Sequence, residues 1–157
     1  MKYAIPLLAM LASPLVAAHG DKHKSEADMA VDKAQQFWGM AAEAEQSDQT
    51  VTLVLSDDMR FSPSNITVRE GDTVTFRLKN EGVMMHEFVL GTKATLAEHA
   101  ALMVKFPGVE HSEAYMAHVP PGEVREVNWT FDKPGGFDFA CLIAGHYQVG
   151  AVAVDVK

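Results

Sequence analysis

A chain of 157 residues has room for one domain and some additional length. Its formal net charge of -8 at pH 7 argues against nucleic acid and anionic membrane surfaces as partners. A single cysteine rules out an internal disulfide framework.

The chain opens MKYAIPLLAMLASPLVAAHG, with basic Lys2, an apolar run from Ala4 to Val16 and small residues at Val16-Ala17-Ala18. This pattern predicts a secretory signal peptide over 1–18, with cleavage leaving His19 as the first mature residue. The apolar run is too short for a comfortable membrane span and contains Pro6 and Pro14. Residues 19–49 are polar and alanine-rich, and they read as a flexible arm with a marginal helix near Asp28 to Ala44. Phe37 and Trp38 within it are either docked on the body or exposed.

The pattern changes at Thr50. VTLVLSDDMRFSPSNITVREGDTVTFRLKN alternates with period two and is rich in β-branched residues, with turns at Asp57-Asp58, Ser62-Pro63 and Glu70-Gly71-Asp72. HEFVLGT reads as a short strand. ATLAEHAALMVKF carries Leu96, Ala100, Met103 and Val104 at helical spacing and is stopped by Pro107-Gly108. VREVNWTF, FDFACL and VGAVAVDV complete the strands. Regularly punctuated short strands with one helix predict an all-β Greek-key β-sandwich over 50–157, carrying one inserted short helix. Phe61, Ile66, Val68, Val74, Phe76, Leu78, Phe88, Leu90, Val127, Trp129, Phe137, Phe139, Val152 and Val154 are its expected core.

An unpaired cysteine in an exported protein is an intermolecular disulfide, a buried inert thiol, or a metal ligand or nucleophile. His146 follows Cys141 by five residues in the turn before the last strand, and His86 starts the HEFVLG strand. One thiolate and two imidazoles at one end of a sandwich form the trigonal His2Cys set of a type-1 copper centre. The bland reading is a buried thiol beside ordinary core and surface histidines.

The segments NEGVMMHEFVLGT and FDFACLIAGHYQVGAV resemble the two copper-ligand loops of cupredoxins, the plastocyanin and azurin family. EFVLGT, LAEHAALMVKFPGVEH and CLIAGH resemble more narrowly a group of exported bacterial cupredoxins associated with copper tolerance. The resemblance covers roughly 50–157 and implies a cupredoxin fold, copper held by His86, Cys141 and His146, and a periplasmic location. Two positions depart from the pattern. Ala151 stands where related loops carry an axial methionine, which leaves that place empty, filled by water, or approached by the Met85 carbonyl or a side chain of Met84, Met85 or Met116. Glu87 stands where a small polar residue often braces the loops, and its carboxylate would favour Cu(II).

Met116 and His118, with His111, Met84 and Met85, are candidates for a second, softer copper site, against a reading as ordinary loop packing. His19 would chelate Cu(II) with its own α-amine once exposed by cleavage, whereas His99 reads as structural. No Ser-His-Asp set, phosphate loop or catalytic carboxylate pair is present, so an enzyme is not expected. The expected role is copper handling through a redox-active site. The alternatives are an electron carrier serving a periplasmic cytochrome or other redox protein, and a copper-free structural or interaction domain. A monomer is expected.

Overall fold

A computed structural model describes residues 35–107, 112–143 and 148–155. The signal peptide, most of the expected arm with His19, and also His111 and His146, lie outside the described residues. The strands are β1 (Gln35–Gln36), β2 (Gly39–Ala41), β3 (Gln49–Ser56), β4 (Arg60–Ser62), β5 (Asn65–Arg69), β6 (Thr73–Asn80), β7 (His86–Gly91), β8 (Met116–Val119), β9 (Val124–Thr130), β10 (Gly135–Cys141) and β11 (Gln148–Asp155). They form two sheets, in the orders β1-β2-β9-β6-β3-β4 and β5-β11-β10-β7-β8. The pairs β3/β6 and β5/β11 are parallel, and the other described pairs are antiparallel.

Period-two alternation decides which side chains meet between the sheets. Along β5, Ile66 and Val68 are buried while Asn65, Thr67 and Arg69 are exposed. The centre is aromatic: Phe76, Phe88, Phe131, Phe139 and Trp129 are fully buried. Phe139 stacks on Phe88 at 5.5 Å and meets Phe61 edge-on at 4.9 Å. Every expected core residue from Phe61 to Phe139 is buried. The side chains of Val152 and Val154 lie outside what is described.

The expected arm ends earlier than Thr50. Gln35–Gln46 lies on the body as the β1–β2 hairpin and a single 3-10 turn (Ala44–Gln46), so no α-helix occupies 35–44. Trp38 is only 2% exposed, stacked on Trp129 at 6.3 Å and edge-on to Tyr115 at 5.9 Å, while Phe37 stays outside. Burying a large apolar side chain is worth roughly 1.5–3 kcal/mol, more than the few tenths per residue that helix propensity offers. Gly39, with φ +150°, lets the hairpin approach this closely, since a Cβ there would meet the Thr130 carbonyl at 2.3 Å.

The helix α1 (Lys93–Lys105) is opened by Thr92, whose hydroxyl accepts from the Thr95 amide at 3.2 Å while the Thr95 hydroxyl accepts from the Thr92 amide at 2.9 Å. It packs over β7 and β10. Leu96 is buried and Ala100 half-buried, but Val104, part of the expected stripe, is 79% exposed. Among the described residues no helix is long and apolar enough to cross a membrane.

Candidate metal centre

His86 opens β7, a strand buried along its whole length. The loop before it is shaped by Asn80. The Asn80 amide donates to the carbonyls of Met84 at 2.7 Å and Val119 at 2.8 Å, and its oxygen accepts from the Gly82 amide at 2.8 Å. The Asn-x5-His spacing therefore has a physical basis: the asparagine is the template on which the ligand loop is wound.

Cys141 closes β10 and is fully buried. Its Sγ accepts a hydrogen bond from the Glu87 amide at 3.4 Å, directly after His86. The Glu87 carboxylate accepts from the Leu142 amide at 3.0 Å through Oε2, directly after Cys141. Two reciprocal bonds thus clamp the His86 strand to the Cys141 loop. Alternation sends Phe88 and Cys141 into the space between the sheets, and His86 with them. Val89, Ala140 and Leu142 face the helix instead.

Burial pushes the Cys141 thiol above the ordinary cysteine range, and the Glu87 carboxylate adds to this, while the amides of Glu87 and Ile143 pull the other way. A raised thiol stabilises the metal-free fold below the unfolded value of about 8.5. That contribution is lost as pH rises through the folded value. The urea midpoint of metal-free protein should fall as pH rises above about 8.5. The fall should be smaller in Cys141→Ala, and equal falls would mean that the thiol is not responsible.

Glu87 is buried at 1% exposure on the helix side. Strand β8 sets His118 opposite it, with His118 Nε2 at 3.2 Å from Oε1 and His99 Nε2 of α1 at 3.9 Å from the same oxygen. Sequence reasoning left His99 as structural and offered His118 to copper; both face the Glu87 carboxylate. Met116 is buried beside Val89, Leu96, Ala140 and Leu142, on the opposite face of the sheet from Cys141, so its side chain is not placed as an axial ligand. The pairing could have been anticipated by laying MAHV antiparallel on HEFV. Glu87→Ala should cost about 1–3 kcal/mol, because it leaves the buried Leu142 amide without its acceptor. Hydrogen exchange at the Leu142 amide should accelerate, and unchanged exchange would deny the clamp.

His86 is also met from the other sheet. Oδ1 of Asp57, in the turn after β3, lies 3.1 Å from His86 Nε2. The Val83 amide chiefly holds the Asp57 carboxyl below its ordinary range; burial opposes it, and His86 and the Met84 amide pull the same way as Val83 to smaller degrees. Sequence reasoning took Asp57-Asp58 for a solvated turn, and only the long-range approach of the two loops reveals the contact.

These residues suit a soft or borderline metal. A carboxylate on Nε2 assigns the ring's proton to that nitrogen, so Nδ1 carries the lone pair. A buried sulfur supported by a backbone amide is a suitable thiolate ligand. Among the described residues no three His, Cys, Asp or Glu side chains form a metal-holding group by themselves. The described pair needs a further donor, and the expected one, His146, lies outside the described residues. Ala151 sits in β11 opposite Asp138 and beside Asn65, and alanine offers no donor.

The model of the Cupredoxin-like domain matches residues 33–154, which takes in the docked hairpin as well as both loops. The chain is a cupredoxin. It is similar to the copper-resistant cuproprotein CopI of Rubrivivax gelatinosus, at 42% identity over 87% of this chain and 78% of the relative. It is also similar to CopI of Pseudomonas aeruginosa, at 38% identity over 74% of this chain and 80% of that one. Among solved structures, reduced auracyanin of Roseiflexus castenholzii superposes with a TM-score of 0.59 at 19% identity, over 69% of this chain and 98% of that chain. An azurin from Methylomonas sp. strain J gives a TM-score of 0.57 at 18% identity, over 69% and 99%. At such identities the superpositions show the cupredoxin fold alone.

Proposed function

We propose that this cupredoxin is an exported, periplasmic copper-handling protein. It holds one copper ion through His86, Cys141 and His146, and it binds rather than catalyses. The observation that carries the reading is the hydrogen bond from the Glu87 amide to Cys141 Sγ, which brings the buried sulfur to the residue after His86. The copper-resistance proteins among its relatives support the role, and the N-terminal pattern supports export.

Bound copper would supply a one-electron Cu(II)/Cu(I) couple. The protein's contribution is a pair of donors fixed by strands of one sheet, a buried sulfur and a loop wound on Asn80. Such donors shift little when the ion's charge changes, which keeps reorganisation small. Alanine at 151 offers no donor, so a weak further contact to bound copper would come from a group such as the Met85 carbonyl, next to His86 in sequence.

A second role, electron exchange with a redox protein, is favoured by one feature. Val83 is 83% exposed and Met85 is 42% exposed beside the buried His86, which gives an apolar surface suited to brief docking. Reconstituting the mature protein with Cu(II) tests the main reading: one equivalent should produce an intense visible thiolate-to-copper band. A colourless, Cu(II)-loaded protein would favour the copper-free domain instead.

A further inference from the structure

We propose that Asp57 is a positioning residue of the copper centre, which fixes the tautomer of His86 and biases the site toward Cu(II). The inference rests on the copper reading above and adds a residue that lies outside the segments carrying His86, Cys141 and His146.

Three observations carry it. First, the Asp57 carboxylate reaches from the first sheet to His86 in the second, with Oδ1 at 3.1 Å from Nε2. Second, the same carboxylate accepts from the amides of Val83 at 2.7 Å and Met84 at 3.3 Å, so it grips the ring and the loop that delivers the ring. Third, the loop makes room for it. A Cβ at Gly82 would lie 2.0 Å from Asp57 Oδ1 and 2.5 Å from Cγ, so only glycine lets the carboxylate seat there. Its neighbour Asp58 faces Arg60 at 3.8 Å, with both side chains exposed.

The chemistry follows from these contacts. A carboxylate accepting the Nε2 proton holds the neutral imidazole as one tautomer and raises the basicity of Nδ1. A more basic ligand beside a fixed negative charge favours the more highly charged ion. The clamp through Val83 and Met84 also keeps the ring from turning when the ion's charge changes.

The test compares Asp57→Asn, Asp57→Ala and Gly82→Ala with Asp58→Asn as control, using the full mature protein. Nitrogen NMR on metal-free wild type should show His86 protonated on Nε2, and Asp57→Ala should lose that preference. In copper-loaded protein, Asp57→Asn should weaken Cu(II) binding about 10–100-fold and make the centre easier to reduce. Gly82→Ala should reproduce this shift, and Asp58→Asn should match wild type. An Nδ1-protonated ring in wild type, or an Asp57→Asn centre that binds and reduces like the Asp58→Asn control, would overturn the proposal. A wild type that fails to form the thiolate-to-copper band would defeat the copper reading, while the metal-free NMR would still decide the role of Asp57.

Discussion

Cys141→Ser should abolish the intense visible band of the copper-loaded protein and leave the fold standing. The sulfur is the donor whose charge transfer to Cu(II) gives such a band, and a serine hydroxyl neither ionises near neutral pH nor matches the ion's softness. The site should tolerate the change structurally. Cys141 is fully buried, but serine is no larger, and its hydroxyl can accept from the Glu87 amide that now bonds Sγ. Cu(II) added to the variant should give a spin-resonance signal without thiolate character, and the urea midpoint should stay close to wild type. A band of undiminished intensity in Cys141→Ser would remove the cysteine from the centre and with it the proposed function.

Phe139→Ala should be among the most damaging single changes to stability, at about 3–5 kcal/mol. The ring is fully buried between Phe88 and Phe61. It also crosses over β11 where Gly150 leaves space, since a Cβ there would meet the ring at 2.2 Å. Whole domains are stable by only about 5–15 kcal/mol, so this loss is a large fraction of the total. Because Phe139 lies two residues before Cys141 on β10, copper retention should fall with stability. Phe37→Ala, at a ring that is 62% exposed, should change the urea midpoint little, within about 0.5 kcal/mol. Equal effects of the two substitutions would contradict the packing described.

The sequence showed most readily what depends on local pattern. The alternation of Ile66 and Val68 with polar neighbours, the Asn80-to-His86 spacing, and Cys141 at a strand end before a turn all translate directly into the sandwich and the end where the His86 strand meets Cys141. Glu87 stood out in the sequence as a departure beside His86, and the structure shows its carboxylate accepting from the Leu142 amide. What stayed hidden depends on contacts between distant segments. Asp57 looks like any acidic turn residue until β3 and the 81–85 loop are side by side. His118 looked like a loop donor until β8 set it opposite Glu87. Trp38 sits in a stretch of helix-forming, polar composition, and only the presence of Trp129 turns that stretch into a hairpin.

The docking of Trp38 also decides where the chain enters the body. Met40 pairs with Thr130 at the far end of β9, while Val124, at the near end, pairs with Lys79 beside Asn80 and the His86 loop. The strand between them is about 20 Å long. Gln35 therefore lies at the pole opposite the loop that precedes His86. Substitutions that loosen the hairpin thus act a full strand length away from His86.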